Sequence, residues 1–237
     1  MNSAQEDKSV GKTRPKVLFF DVNETLLDLT VMKNQIGSVL GGREELLSLW
    51  FTTMLQYSLV VSAGGQYRSF GHIGAAALQM VAANNDIILS EQEAREIVVE
   101  SMQKLSPHPE VHEALALLKK EGFSLVAFTN SSKDSLVNKF NNAGLSEYFD
   151  DLLSIEAVGK FKPFHETYTW GAKKMGIRPE ECMLIAAHGW DVAGALWAGW
   201  RAAFIARPGQ QLFPLAPQTE IVAPDLKRMA DILVTYT

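Results

Sequence analysis

Apolar residues along this chain fall into two kinds of run. Val17, Leu18, Phe19 and Phe20 are continuous and stop at Asp21, the pattern of a strand buried on both faces rather than one with a wet side. Ser124 to Thr129, Met183 to Ala187 and Ala202 to Ala206 repeat it, each beside a helix-like stretch, and Leu152, Leu153 and Ile155 supply another short strand. Strands alternating with helices predict an α/β fold, a Rossmann-like, doubly wound parallel sheet. Helix ends are legible too. Ser90 and Glu93 form a capping box ahead of Ala94 to Leu105, and Gly122 stops a helix over Val111 to Glu121.

The stretch from Gly42 to Leu105 is different: three apolar-periodic segments and no convincing strand. It predicts a small all-helical cap inserted in the α/β core. Ser106-Pro107-His108-Pro109 reads as the return hinge, because residues before proline are pushed out of helical geometry. Met1 to Lys16 carries almost nothing apolar and cannot offset the entropy of ordering. The expected division is therefore a mobile arm over 1–15, a core over 16–30 and 107–237, and a cap over 31–106.

With 237 residues, 47% of them hydrophobic, the chain can bury a sizeable core. Its 22 basic and 27 acidic side chains leave a net charge of −5, so no broad cationic face awaits a nucleic acid or an anionic membrane. Cys182 stands alone, which excludes an internal disulfide and suits a reducing cytoplasm. No cluster of Cys and His has zinc spacing. No apolar run looks long enough to cross a bilayer, and the polar start lacks the core of a signal peptide. The expectation is a soluble cytoplasmic protein with neither membrane nor nucleic-acid partners.

In an open parallel sheet, chemistry collects beyond the carboxyl ends of the strands. Asp21, then Thr129-Asn130-Ser131, then His188-Gly189-Trp190-Asp191 fall at such ends, and Lys162-Pro163 follows the short strand. One pocket should therefore hold carboxylates, hydroxyls, amides, a lysine and an imidazole. Asp21-Val22-Asn23-Glu24-Thr25-Leu26, Thr129-Asn130-Ser131, Lys162-Pro163 and Trp190-Asp191 resemble the four ordered motifs of the haloacid dehalogenase superfamily, over a span from about Lys16 to the C-terminus. Leu49-Trp50, Tyr168 after Lys162-Pro163, and Gly189-Trp190-Asp191 with Gly194 resemble the type II, or L-2-haloacid, dehalogenases.

The resemblance implies hydrolytic dehalogenation of short L-2-haloalkanoic acids to D-2-hydroxy acids. Asp21 would form a covalent aspartyl ester, since a carboxylate can act as nucleophile and be regenerated. Lys162, rather than its neighbour Lys160, would keep Asp21 ionised, and Thr25 would hydrogen-bond it. The Thr129 hydroxyl and the Ser131 amide would hold the substrate acid, and Asn130 would contact the departing halide. The resemblance also implies a homodimer joined through the cap.

Several positions depart from the family pattern. Phosphatases of the superfamily carry a second Asp two residues after the nucleophile; here that position is Asn23, which cannot protonate a leaving group. Magnesium in those relatives also needs a carboxylate-rich fourth motif, whereas Asp191 has only His188 and Trp190 as notable neighbours. No metal and no cofactor is expected, and the phosphatase or phosphonatase branch remains the alternative. Glu24 stands where a small residue is usual and His188 where an Asn is usual, so the two could pair and activate the hydrolytic water. Phe51 replaces the usual halide-binding arginine. Halide stabilisation then falls to Asn130, an aromatic edge or another cation, Arg43 and Arg68 being candidates. Phe51, Leu55 and Phe70, with Tyr168 and Trp190, are the expected apolar lining for a short alkyl chain.

Overall fold

Continuous apolar runs do become the buried strands. A computed structural model describes residues 12–237. In chain order they form β1 (Val17–Phe20), β2 (Leu27–Asp28), α1 (Thr30–Val39), α2 (Glu44–Ala63), α3 (Phe70–Ala83), α4 (Glu91–Gln103), β3 (Ser106–Pro107), α5 (Val111–Lys120) and β4 (Ser124–Thr129). There follow α6 (Lys133–Asn142), β5 (Asp151–Ser154), α7 (His165–Lys174), β6 (Cys182–Ala186), α8 (Gly189–Trp197), β7 (Arg201–Ile205), β8 (Ile221–Ala223) and α9 (Leu226–Leu233).

Six strands make one parallel sheet in the order β5-β4-β1-β6-β7-β8. The chain leaves β1 toward β4 and β5 on one side, and later builds β6, β7 and β8 on the other. That reversal makes β1 the switch point, where a crevice opens beyond the strand ends. Phe20 is in register with Ala127 of β4 and Ile185 of β6. Asp21, Thr129 and His188 therefore emerge at one edge of the sheet.

Between β2 and β3 the chain is helical: the three segments expected over Gly42 to Leu105 are α2, α3 and α4, and α1 precedes them. α1 was not foreseen: only Met32 and Ile36 of it are buried, and its N-cap Leu29 makes no side-chain cap bond. The expected hinge is a paired element. Leu27 and Asp28 face Pro107 and Ser106 in an antiparallel ribbon, and the His108 amide donates to the Leu26 carbonyl, so the two crossings brace one another.

Two other expectations need correcting. Residues 1–11 of the expected arm lie outside the described residues; of the rest, Lys12 and Thr13 are exposed, while Arg14 and Pro15 are packed. The Arg14 amide donates to the Thr237 carbonyl, the Arg14 guanidinium covers the Phe123 ring, and Pro15 is buried. The chain also holds an apolar stretch of membrane-crossing length: Glu45–Ala63, 19 residues of mean hydropathy 1.4, within α2. Here it packs along α3, with Trp50, Met54, Ser58 and Ser62 buried and the Trp50 indole donating to the Gly74 carbonyl.

Candidate active site

The tight turn after β1 delivers three functional groups within five residues. The Leu26 and Leu27 amides both donate to the Val22 carbonyl, and the Glu24 amide donates to the Leu27 carbonyl. Glu24 occupies the left-handed region at φ 64, which costs a side-chain-bearing residue about 1–2 kcal/mol. Strain of this kind persists where surroundings hold it. Here Lys33, Gln210 and His188 bind the Glu24 carboxylate, and His108 binds its carbonyl.

Asp21 is almost wholly buried, and its two oxygens are divided between partners. Oδ1 accepts from Lys162 Nζ at 3.0 Å; Oδ2 accepts from Thr25 Oγ1 at 2.7 Å and faces His188 Nδ1 at 3.0 Å. Burial works against its charge, but Lys162, His188 and Thr25 outweigh burial and hold the carboxyl well below the usual carboxylate range. Lys162 Nζ also donates to Asp191 Oδ2 and to the Phe128 carbonyl, so all three of its protons are used. Burial alone would depress this lysine; Asp191 and Asp21 raise it instead, so it remains an ammonium. Lys160, the other candidate, pairs with Glu166 at the surface.

His188 bridges two carboxylates. Its Nδ1 faces Asp21, and its Nε2 lies 3.2 Å from Glu24 Oε2. Burial disfavours the imidazolium, yet hydrogen bonds and charge from Asp21 and Glu24 push its pKa up to about 9. At neutral pH both ring nitrogens therefore carry protons. Trp190 stacks on the ring at 5.2 Å between centroids, and Phe51 lies nearly parallel at 6.2 Å. Two glycines let other segments approach α8 closely. A Cβ at Gly189 would lie 2.2 Å from the Gln211 carbonyl oxygen, and one at Gly194 would lie 2.6 Å from the Tyr168 hydroxyl.

Phe51, Leu55 and Trp190 line a cavity of about 390 Å³ that reaches His188 and Glu24. Phe70 does not: it is buried against Phe161, in the core behind Lys162. Tyr168 is fully buried as well, and its hydroxyl donates to Asp191 Oδ1 at 2.6 Å, so it holds Asp191 rather than lining an alkyl pocket. Thr129 and Ser131 were expected to bind an acid together. Instead the Ser131 amide donates to Thr129 Oγ1, which leaves neither as free as expected. Asn130 Oδ1 accepts from the Lys162 amide, while its buried Nδ2 has no partner among the described residues. Arg43 and Arg68 are exposed and engaged elsewhere, with Glu45, Asn85 and the Tyr67 carbonyl.

Sequence reasoning missed Lys139, Arg207, Gln210 and Lys33. Lys139 is fully buried, and its Nζ donates to Asn23 Oδ1 and Ser131 Oγ, both at 3.0 Å. Burial pulls its pKa down to about 8, with Asp21 opposing the shift. Its signal was a lysine inside the apolar stripe Leu136, Lys139, Phe140 of α6. Arg207 pairs with Glu110 and donates to the Thr25 carbonyl, tying the turn after β1 to the segment after β7.

Fold and site together define a Rossmann-like hydrolase with a helical insert at the switch point of its sheet. A family model described as haloacid dehalogenase-like hydrolase matches residues 15–199, and the chain belongs to that family. It is 26% identical over 220 residues to (S)-2-haloacid dehalogenase 1 of Pseudomonas sp. (strain CBS-3), covering 92% of this chain and 96% of that one. It is 26% identical to haloacetate dehalogenase H-2 of Moraxella sp. (strain B), covering 92% and 97%. Its fold superposes with a TM-score of 0.85 and 23% identity on the L-2-haloacid dehalogenase of Xanthobacter autotrophicus with chloropropionic acid covalently bound, covering 92% and 98%.

Proposed function

We propose that this protein hydrolyses short L-2-haloalkanoic acids to D-2-hydroxy acids through an ester on Asp21. The observation that carries the reading is an ionised, buried Asp21 held by Lys162 and Thr25 and joined through His188 to Glu24. Asp21 attacks carbon 2 from behind the carbon–halogen bond, the halide leaves, and that carbon inverts. The Asn130 Nδ2, a buried donor without a partner among the described residues, serves the departing halide.

Ester formation removes the Asp21 charge, one of the two that sustain the imidazolium. The Nδ1 proton then leaves to solvent, and the neutral ring, with Nε2–H donating to Glu24, takes a proton from water. That water attacks the Asp21 carbonyl carbon, the bond to the ester oxygen breaks, and the departing alkoxide takes the water's second proton to leave as the 2-hydroxy acid, with the first held on His188 as the restored imidazolium. Each turnover yields one halide and one proton, and Asp21 carries one oxygen from water. Preference for the L enantiomer rests on likeness to relatives named for (S)-2-haloacids.

A phosphatase is the less favoured reading. Asn23 accepts from Lys139 where an acid would have to protonate a leaving oxygen. The donor set also suits magnesium poorly, since Lys162 spans Asp21 and Asp191, and among the described residues no three His, Cys, Asp or Glu side chains gather as a metal site. We further read α1–α4 as a cap and α2 as the face that joins two copies.

The test is a halide-release screen with L- and D-2-chloropropionate and chloroacetate, with and without a chelator. Release from the L enantiomer that survives chelation is expected. Phosphate-ester hydrolysis restored by magnesium, without halide release, would contradict the reading.

A further inference from the structure

Two lysines among the described residues are fully buried, and the reaction above uses only Lys162. Lys139 sits mid-helix in α6 among apolar neighbours, a costly place for an ammonium unless hydrogen bonds compensate it. Its bonds reach two different parts of the site: Asn23 in the turn after β1 and Ser131 after β4.

An ammonium can only donate. It therefore occupies Asn23 Oδ1 and Ser131 Oγ as acceptors, and fixes which way round the amide and the hydroxyl must work. The Ser131 O–H and the Asn23 Nδ2 are left as donors, and among the described residues neither finds a protein acceptor. The buried Asn130 Nδ2, also unpartnered among the described residues, is the donor given above to the halide. Two donors without acceptors, backed by a positive charge, suit one kind of guest: a compact anion. The cations that the helices between β2 and β3 could offer instead, Arg43 and Arg68, are engaged at the surface.

We propose that Lys139 is a positioning residue that turns Ser131 and Asn23 into donors for the substrate carboxylate, and so sets the preference for acids over neutral haloalkyl compounds. The inference rests on the dehalogenase reading for its substrate, though not for its binding test. Lys139 acts through its two partners, and the bond-breaking steps remain with Asp21, His188 and Glu24.

Lys139→Met keeps the volume of the stem and removes the charge. Calorimetry with propionate, which carries the carboxylate but no leaving group, should show binding to the wild type and a loss of about tenfold or more in the variant. In turnover, the variant's KM for L-2-chloropropionate should rise by a similar factor while kcat changes by less than about threefold. L-2-chloropropionamide, which lacks the charge, should be far less affected. Ser131→Ala, which keeps Lys139, should reproduce the acid-selective loss and serves if Lys139→Met fails to fold. Equal propionate affinity in variant and wild type, no propionate binding by either, or equal losses on acid and amide would overturn the proposal. A wild type that releases no halide would instead sink the dehalogenase reading, leaving propionate binding to decide the role of Lys139.

Discussion

In the proposed reaction, His188 is the residue on which the two half-reactions separate. If it activates water only after the ester forms, His188→Ala should release about one halide per site and then stall, with the alkyl group retained on the Asp21 peptide. Steady turnover near the wild-type rate would move the base elsewhere, with Asp191 next in line. Glu24→Gln should stall less completely, because the imidazole survives. The bridge to two carboxylates also has a signature in stability. Its pKa rises from an ordinary 6.5 to about 9 on folding, so the bridge contributes about 3 kcal/mol, fully present below pH 6.5 and lost as pH rises through about 9. Wild-type Tm should fall across that window, and His188→Gln should flatten the fall; equal slopes would contradict the bridge. Much of this site was legible at residue scale, since Asp21, Lys162, His188 and Asp191 each close a strand or follow one. The roles of Tyr168, Thr129 and Ser131 were not, because hydrogen-bond partners depend on side-chain directions that spacing does not specify.

At the scale of elements, α2 carries an unresolved balance of apolar surface. Trp50 and Met54 are buried on one side, yet Leu49, Leu59 and Val60 are exposed, more apolar surface than one helix face needs to show to water. The proposed packing of a second copy on this face would account for it. Sedimentation at micromolar concentration should give a dimer, which Leu59→Lys with Val60→Lys should split; a wild-type monomer would contradict it. The central strands were readable because burial on both faces leaves no alternation to misread. β8 was not, being three residues long with Val222 exposed in its middle. α9 did carry a helical stripe, Leu226, Met229, Ala230 and Leu233, close behind that strand. The Ser106-Pro107 segment read as a hinge because proline marks a break in helix, while its pairing with Leu27 and Asp28 depends on where the chain returns.

In the whole molecule, the switch point at β1 makes one site from distant segments. Glu24 and His188 are 164 residues apart in sequence, and Lys139 reaches Asn23 across 116. Parallel strands sharing a register bring these ends to one edge, and the helices between β2 and β3 add the apolar wall of Phe51 and Leu55. The parallel sheet could be anticipated from strand and helix alternation, whereas the order of its strands and buried charges such as Lys139 emerge only from the packed core. The central claim is that Asp21 is alkylated and then regenerated by water. A single turnover with enzyme in excess over L-2-chloropropionate, in water enriched in heavy oxygen, tests it most directly. Asp21 is expected to gain the label while the first 2-hydroxy acid released carries unlabelled oxygen from the carboxylate. Label in that first product with none in Asp21 would mean direct attack by water on carbon 2 and would contradict the ester.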